Sequence, residues 1–312
     1  MQNHAPYIIA DMPPRAPLVM PPQDFARSPI KRDTTRGGHP IWRLSVFVPA
    51  FIGTALMMWG LHGVLMQAGM TPLEWILLSL IGATFVWVTM AICTVGVGLA
   101  ARVREARGDA PPSIDPLNVA LLVPIYNEVP SDVFGNATAM LNDLTTRRTA
   151  HNFTLFVLSD STDDETATQE WQAFVSLKAR MPEGIEIHYR RRFENTDKKV
   201  GNLLDWITGW GASHDAMLVL DADSLMTGRA IERLASELAN DPEAGLIQSF
   251  PMLIEANTLF ARVQQFSNIA YGWLLAEGLA LWARNEGNYW GHNAIIRTRA
   301  FAQSAGLPHL RG

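Results

Sequence analysis

Apolar positions fall into two regimes along this chain, and the change comes near residue 103. Before it, they form two long unbroken runs, 44–66 and 73–101. A helix rises about 1.5 Å per residue, so about 20 apolar residues cross the hydrocarbon core of a bilayer. Both runs are long enough, and neither carries Lys, Arg, Asp or Glu in its central part. They predict a hairpin of two transmembrane helices. A buried hairpin in a soluble core is the alternative, but soluble helices seldom stay uncharged for so long. After residue 116 the apolar runs become short. Runs at 119–124, 153–159, 185–190, 216–220 and 245–249 predict strands, and amphipathic stretches at 131–145, 164–180, 200–210 and 228–239 predict helices. Strands alternating with helices make a mostly parallel sheet covered on both faces, hence an α/β fold.

The segments between these runs give the domain plan. Residues 1–40 are rich in proline and polar residues and are expected to be a flexible cytoplasmic tail, not a cleaved signal peptide. Residues 41–102 hold the two spans, 103–116 read as a linker with Pro111, Pro112 and Pro116, and 117–312 read as the catalytic domain. Lys31, Arg32, Arg36 and Arg43 precede the first span, and Arg102, Arg104 and Arg107 follow the second. The link at 67–72 has no basic residue. The positive-inside rule then puts both flanks, and the domain after them, in the cytoplasm. Within 256–285, Leu259, Phe260, Val263, Phe266, Ile269 and Trp273 recur at helical spacing. A helix at the membrane interface and a helix buried in the domain are both open for this stretch.

Composition narrows the chemistry. The 312 residues are 48% hydrophobic with a formal net charge of −5, which argues against a nucleic-acid binder. The single cysteine, Cys93, excludes an intramolecular disulfide, and His and Cys do not cluster at zinc spacings.

In an open α/β sheet, ligands bind beyond the carboxyl ends of the strands. After the first predicted strand stand Tyr126, Asn127 and Glu128; after the second, Asp160, with Asp163, Asp164 and Glu165 suited to the next helix N-terminus. After the third come Arg190, Arg191 and Arg192, then Lys198, Lys199, Gly201 and Asn202. These basic groups suit a diphosphate or a solvated loop, and Gly201 permits close backbone approach where a helix begins. After the fourth come Asp221 and Asp223, two hard oxygen ligands suited to Mg2+ or Mn2+. Further on, Trp290 can stack on a sugar, and His292 and Asn293 can bond hydroxyls.

Taken in order, the segments 122–128, 158–163, 190–192 with 198–202, and 289–294 resemble the glucans biosynthesis glucosyltransferase H family. That family belongs to the processive, cellulose-synthase-like family 2 glycosyltransferases. The resemblance covers about residues 41–312. It implies a nucleotide-diphospho-sugar transferase (GT-A, Rossmann-like) domain in the bacterial inner membrane, multi-pass, with UDP-glucose as donor and a β-glucan acceptor. Tyr126, Glu128 and Asp160 are then expected at the uridine, and Lys199, Gly201 and Asn202 near the nucleotide and diphosphate. Asp221 and Asp223 are expected to hold the metal, and Gly291, His292 and Asn293 to border the sugar. Asp223, His292 and Asn293 are the catalytic candidates, and a periplasmic glucan-processing partner is implied. The family also places a catalytic base and a Gln-x-x-Arg-Trp motif downstream of 293. Neither occurs here, so the domain is expected to be incomplete and inactive alone. A lipid-linked sugar transferase and a non-catalytic nucleotide-sugar sensor remain the competing readings.

Overall fold

The structure is a computed structural model, and it describes residues 7–22, 40–104, 115–147, 149–181 and 184–306. The chain divides into two compact units: Met1–Ser28, Asp109–Ser249 and Tyr289–Gly312 in one, Pro29–Gly108 and Phe250–Asn288 in the other.

The first unit is a mixed α/β sheet. Its strands are β1 (Tyr7–Asp11), β2 (Asn118–Ile125), β3 (Asn152–Ser159), β4 (Glu186–Arg192), β5 (Ala216–Val219), β6 (Leu246–Gln248) and β7 (Ala294–Arg297). They lie in the order β1-β4-β3-β2-β5-β7-β6. The four central strands are parallel, with Val119 opposite Phe153 on one side and Ala216 on the other. Antiparallel β7 sits between β5 and β6, and antiparallel β1 closes the β4 edge. The helices α3 (Pro130–Thr145), α4 (Asp164–Arg180), α5 (Lys198–Trp210) and α6 (Gly228–Asn240) match the predicted stretches closely, and α9 (Thr298–Ser304) follows β7. They are numbered after α1 (Pro40–Leu65) and α2 (Pro72–Arg104), and before α9 come α7 (Leu259–Ser267) and α8 (Trp273–Ala283).

Alternation along the strands splits the core into two layers, because successive side chains point to opposite faces. Val119, Leu121 and Val123 join Leu141, Phe174 and Leu238 on one side. Ala120, Leu122, Phe156 and Leu158 join Trp206 and Trp210 of α5 on the other. Asp163 caps α4, its carboxylate accepting from the Thr166 amide at 2.7 Å, as expected for that acidic cluster.

The expectation of a flexible tail over 1–40 does not hold for residues 7–22. β1 pairs with β4, and the strap after it lies along α5. Trp210 Nε1 donates to the Pro13 carbonyl at 2.9 Å, the Ala16 amide donates to Gly209 O at 2.9 Å, and the Ala212 amide donates to Ala16 O at 3.0 Å. Met12, Leu18 and Met20 extend the α5-side core. Pairing at an open edge and apolar cover outweigh the proline-rich composition. The remainder of 1–40, apart from Pro40 itself, lies outside the described residues, as does most of the expected linker.

The second unit joins α1 and α2 to the segment 250–288, so the expected continuous domain over 117–312 is interrupted. α1 and α2 are long and apolar enough to cross a membrane and coincide with the two predicted spans. α7 runs through a π-turn, Asn268–Gly272, into α8. The stretch belongs to the unit of α1 and α2 and is not buried in the α/β domain. Leu259, Phe260, Val263 and Phe266 of α7 are exposed, whereas α8 crosses α2 so closely that a Cβ on Gly98 would meet Leu274 O at 2.1 Å. A Cβ on Gly278 would meet Thr94 O at 2.0 Å, so glycine is required on both sides of the crossing.

Candidate active site

The loops at the carboxyl ends of β2 and β3 run side by side, with the Asp160 amide donating to Ile125 O at 2.9 Å. Asn127 turns the first loop with φ 54°, a left-handed conformation that Asn tolerates. Its side chain joins the two loops. Oδ1 accepts from the amides of Thr162 at 3.0 Å and Asp163 at 3.2 Å, while Nδ2 donates to Thr162 Oγ1 at 3.2 Å. This leaves Tyr126 exposed, with its amide donating to the Glu128 carboxylate. Partial burial pushes the Glu128 carboxyl above the usual range, against the pull of the backbone N–H groups of Tyr126 and Glu128. Glu170 and Asp223 push it further the same way.

Asp160 is held from within the protein. It is buried, and both carboxylate oxygens are taken by Arg192: Nε donates to Oδ1 at 2.7 Å and Nη2 to Oδ2 at 2.6 Å. Asn195 Nδ2 donates to the Asp160 carbonyl at 2.6 Å. Asp160 therefore fixes the loop through this pair. The arginine run is likewise turned inward. Arg191 donates to Ser161 O and to Asp164 Oδ1, each at 2.8 Å. Arg190, fully buried, donates to Asn202 O at 2.8 Å and pairs with Asp205 Oδ2 at 2.9 Å. A diphosphate-binding or solvated role for this run is corrected. Carboxylates from other elements pair with each of these buried guanidinium groups, as buried charge requires.

The chain enters α5 through two left-handed residues, Asp197 and Lys198. That curl brings Thr196 O to 1.9 Å from where a Gly201 Cβ would stand. Gly201 is thus required by its own loop, a different reason from the ligand approach expected. Asn202 is buried, and its Nδ2 donates to Leu158 O at 2.8 Å, tying α5 to β3. Lys199 alone of this segment's predicted residues reaches the edge, where its ammonium pairs with Asp221 Oδ1.

Asp221 follows β5, and its amide donates to Ser224 Oγ at 3.1 Å. Ser224 Oγ donates to Asn293 Oδ1 at 3.1 Å, and the Asn293 amide donates to Val219 O at 2.9 Å. Asn293, at φ 53°, with Gly291 at φ 96°, makes the turn that feeds β7 into the sheet. The turn sets His292 beside the acidic pair, with Nδ1 4.0 Å from Asp221 Oδ2. That nitrogen is buried without a hydrogen-bond partner among the described residues. Tyr289 is pushed up to about 12 by burial and then by the Asp221 charge. Trp290 lies partly open, its amide donating to Gln248 Oε1 at 3.2 Å. Asp223 is exposed, and no hydrogen bond holds its carboxylate among the described residues. No group of three or more His, Cys, Asp or Glu suited to a metal occurs among the described residues. Asp221 and Asp223 therefore fit a hard divalent cation only with other oxygen donors, such as phosphate, completing its shell.

The edge thus gathers Tyr126, Glu128, Lys199, Asp221, Asp223 and His292, while Asp160, Asn202 and Asn293 hold its framework. Sequence reasoning missed Arg192, Asn127 and Glu170 as parts of that framework. Only Asn127, inside the Tyr-Asn-Glu segment, carried a local signal.

Acidic, basic and aromatic groups thus collect at the strand ends of an open α/β sheet, where such sheets bind ligands. Residues 120–304 match the family described as Glycosyl transferase family 2, and the chain belongs to that family. It is 41% identical over 310 residues to a "Glucans biosynthesis glucosyltransferase H" of Vibrio cholerae, covering 96% of this chain and 43% of the relative. A protein of the same name from Shewanella baltica is 39% identical over 308 residues, covering 96% of this chain and 42% of its own. The chain thus spans less than half the length of these curated relatives. Among solved structures, a mannosyltransferase from Pyrobaculum calidifontis in complex with GDP-Man and Mn2+ shows 19% identity and a TM-score of 0.33. It covers 51% of this chain and 45% of its own.

Proposed function

We propose that this chain forms the donor-binding part of an inner-membrane glucosyltransferase that takes UDP-glucose and extends a β-glucan. The observation that carries the reading is the convergence of Lys199, His292 and Tyr289 on Asp221, beside the open carboxylate of Asp223. Tyr126 offers an exposed aromatic face for a base, and Glu128 lies within the field of Asp223. Asp221 and Asp223 would hold a divalent cation together with the donor's diphosphate. When bound, Mg2+ or Mn2+ supplies positive charge against the charge that builds on departing UDP. Lys199 adds a second cation at the same place, and its pairing with Asp221 orients it there. His292 and Trp290 border the side of the edge on which the sugar would lie.

The membrane part of the reading rests on α1, α2 and their basic ends. Arg43 Nε donates to Trp282 O at 3.2 Å and its guanidinium pairs with Glu286, while Arg102 pairs with Glu277 at 3.4 Å. Both basic flanks thus engage the same 277–286 segment, in keeping with a shared cytoplasmic side. A multi-pass protein with its transferase domain in the cytoplasm, a glucan acceptor and a periplasmic glucan-processing partner fit this arrangement.

The test is Asp223→Ala in a longer protein in which this chain is followed by the downstream base and Gln-x-x-Arg-Trp motif, in membranes supplied with radiolabelled UDP-glucose and Mg2+ or Mn2+. Label is expected in a water-soluble glucan for the parent and is lost in the variant, with membrane insertion unchanged. Label in a solvent-extractable lipid would replace the acceptor assignment, and full incorporation by Asp223→Ala would remove the metal role.

A further inference from the structure

Beneath the strand ends lies a connected polar chain that donor binding does not itself use. Glu170, on α4, is 1% exposed. Its Oε2 accepts from Ser159 Oγ at 2.7 Å and from the Tyr189 hydroxyl at 2.9 Å, and its Oε1 accepts from the Ser161 hydroxyl. Ser161 Oγ in turn accepts from the Asn127 amide at 2.8 Å. Asn127 then grips the amides of Thr162 and Asp163. The chain therefore links α4, β4 and the ends of β2 and β3.

Its direction follows from elementary chemistry. The hydroxyls of Ser159, Ser161 and Tyr189 all donate to the Glu170 carboxyl oxygens, and a serine hydroxyl has a single proton to donate. Ser161, having spent its one proton there, meets Asn127 as an acceptor only. The amide of Asn127 is thereby drawn inward, and the loop is pinned in the left-handed turn that sets Tyr126 outward and Glu128 toward Asp223. A buried carboxylate is costly unless its oxygens are satisfied, and three hydroxyls satisfy this one.

We infer that Glu170 and Asn127 are positioning residues, acting as one unit through Ser161 to hold the Tyr126–Glu128 loop in its nucleotide-binding geometry. The inference rests on the nucleotide-sugar reading for what is positioned, but the coupling itself is independent of any ligand. Neither residue is assigned to touch the donor.

Two measurements on the purified chain in detergent test it: UDP titration with Mg2+, and amide hydrogen exchange. Glu170→Gln keeps the shape but replaces one acceptor oxygen with a donor. Asn127→Gly keeps the left-handed turn but deletes the side chain, and Asn127→Asp retains the acceptor for the Thr162 and Asp163 amides. Glu170→Gln and Asn127→Gly are each expected to weaken UDP binding about tenfold, and the double variant little further, as coupled residues do. Asn127→Asp should recover most of the affinity. In both weakened variants the amides of Asn127, Thr162 and Asp163 should lose protection, while those of Leu121 and Leu155 keep it. Intact loop protection in Glu170→Gln, independent effects that multiply in the double variant, or uniform loss of protection across the sheet would each overturn the inference. So would an Asn127→Asp variant no better than Asn127→Gly. A parent chain that binds no UDP would sink the nucleotide reading instead, and the exchange pattern would then decide the coupling alone.

Discussion

Large apolar side chains occupy opposite places in the two units. Leu121, Leu155 and Leu218 are wholly buried in the sheet, whereas Ile52, Leu80, Trp87 and Ile92 on α1 and α2 stand exposed. Soluble monomers rarely expose contiguous apolar surface on this scale. The sheet is stabilised by excluding water from its own interior. The helix pair has an apolar exterior instead, held together where Thr54 meets Thr89 at 2.8 Å. One chain thus carries a core closed to water and a pair of helices with an apolar exterior, and the same substitution should have different consequences in each.

The largest difference is expected for removal of apolar bulk. Leu121→Ala leaves a cavity in the central strand and should cost about 2–5 kcal/mol. Chemical denaturation followed by the fluorescence of buried Trp206 and Trp210 measures it. Ile92→Ala, on the exposed side of α2, should leave that transition unchanged. Equal losses from the two would erase the distinction between the units.

Added charge reverses the ranking. Trp87→Arg places a cation mid-helix in α2 and should oppose membrane insertion by about 2.5–3.5 kcal/mol. Val175→Arg adds the same charge at an exposed site on α4 and should change stability by no more than about 0.5 kcal/mol. Carbonate extraction of membranes reads the first, and a thermal melt the second. A Trp87→Arg variant that inserts as fully as the parent would show that α2 is not lipid-facing at that depth.

What the sequence revealed follows the same division. The two spans and the strands β2 to β5 are legible because each is a local apolar pattern of the right length. β1 is not legible: Tyr7–Asp11 becomes a strand by pairing with β4, almost two hundred residues away, and prolines follow it directly. The antiparallel place of β7 is hidden too, since Ile295 and Ile296 announce an apolar step but not its direction. In the site, Asp221, Asp223 and Lys199 stand at the strand ends as their positions predict. Arg190 to Arg192 mislead because burial of an arginine depends on partners elsewhere. Here Asp160, Asp164 and Asp205 come from β3's end and two helices. Hydropathy reads one residue at a time, and such partnership is a property of pairs.

The smallest expected effect is a pH slope confined to the α/β unit. The Leu117 amide donates to His151 Nδ1 at 3.0 Å, which keeps that nitrogen unprotonated, and Nε2 faces Ser236 Oγ at 3.2 Å. Burial pushes His151 below its ordinary value, with Glu232 opposing. His214, among Phe156 and Trp206, is also pushed down by burial. The Trp210 backbone, Asp215 and Glu186 oppose the shift, and His188 adds to it. In the unfolded chain a histidine titrates near about 6.5. As pH falls through that value, the unfolded chain takes protons that the folded one refuses. Stability is therefore complete above about pH 6.5 and declines as pH drops toward the lower folded values. Glu128 contributes with the opposite sign, since its raised carboxyl takes a proton first in the folded state. Melts at pH 7.5 and 5.5 should show a lower midpoint at the acidic value. His151→Gln, which can still accept from Leu117, should narrow that gap, and Glu128→Gln should widen it. A gap that neither variant changes would mean the slope arises outside these groups.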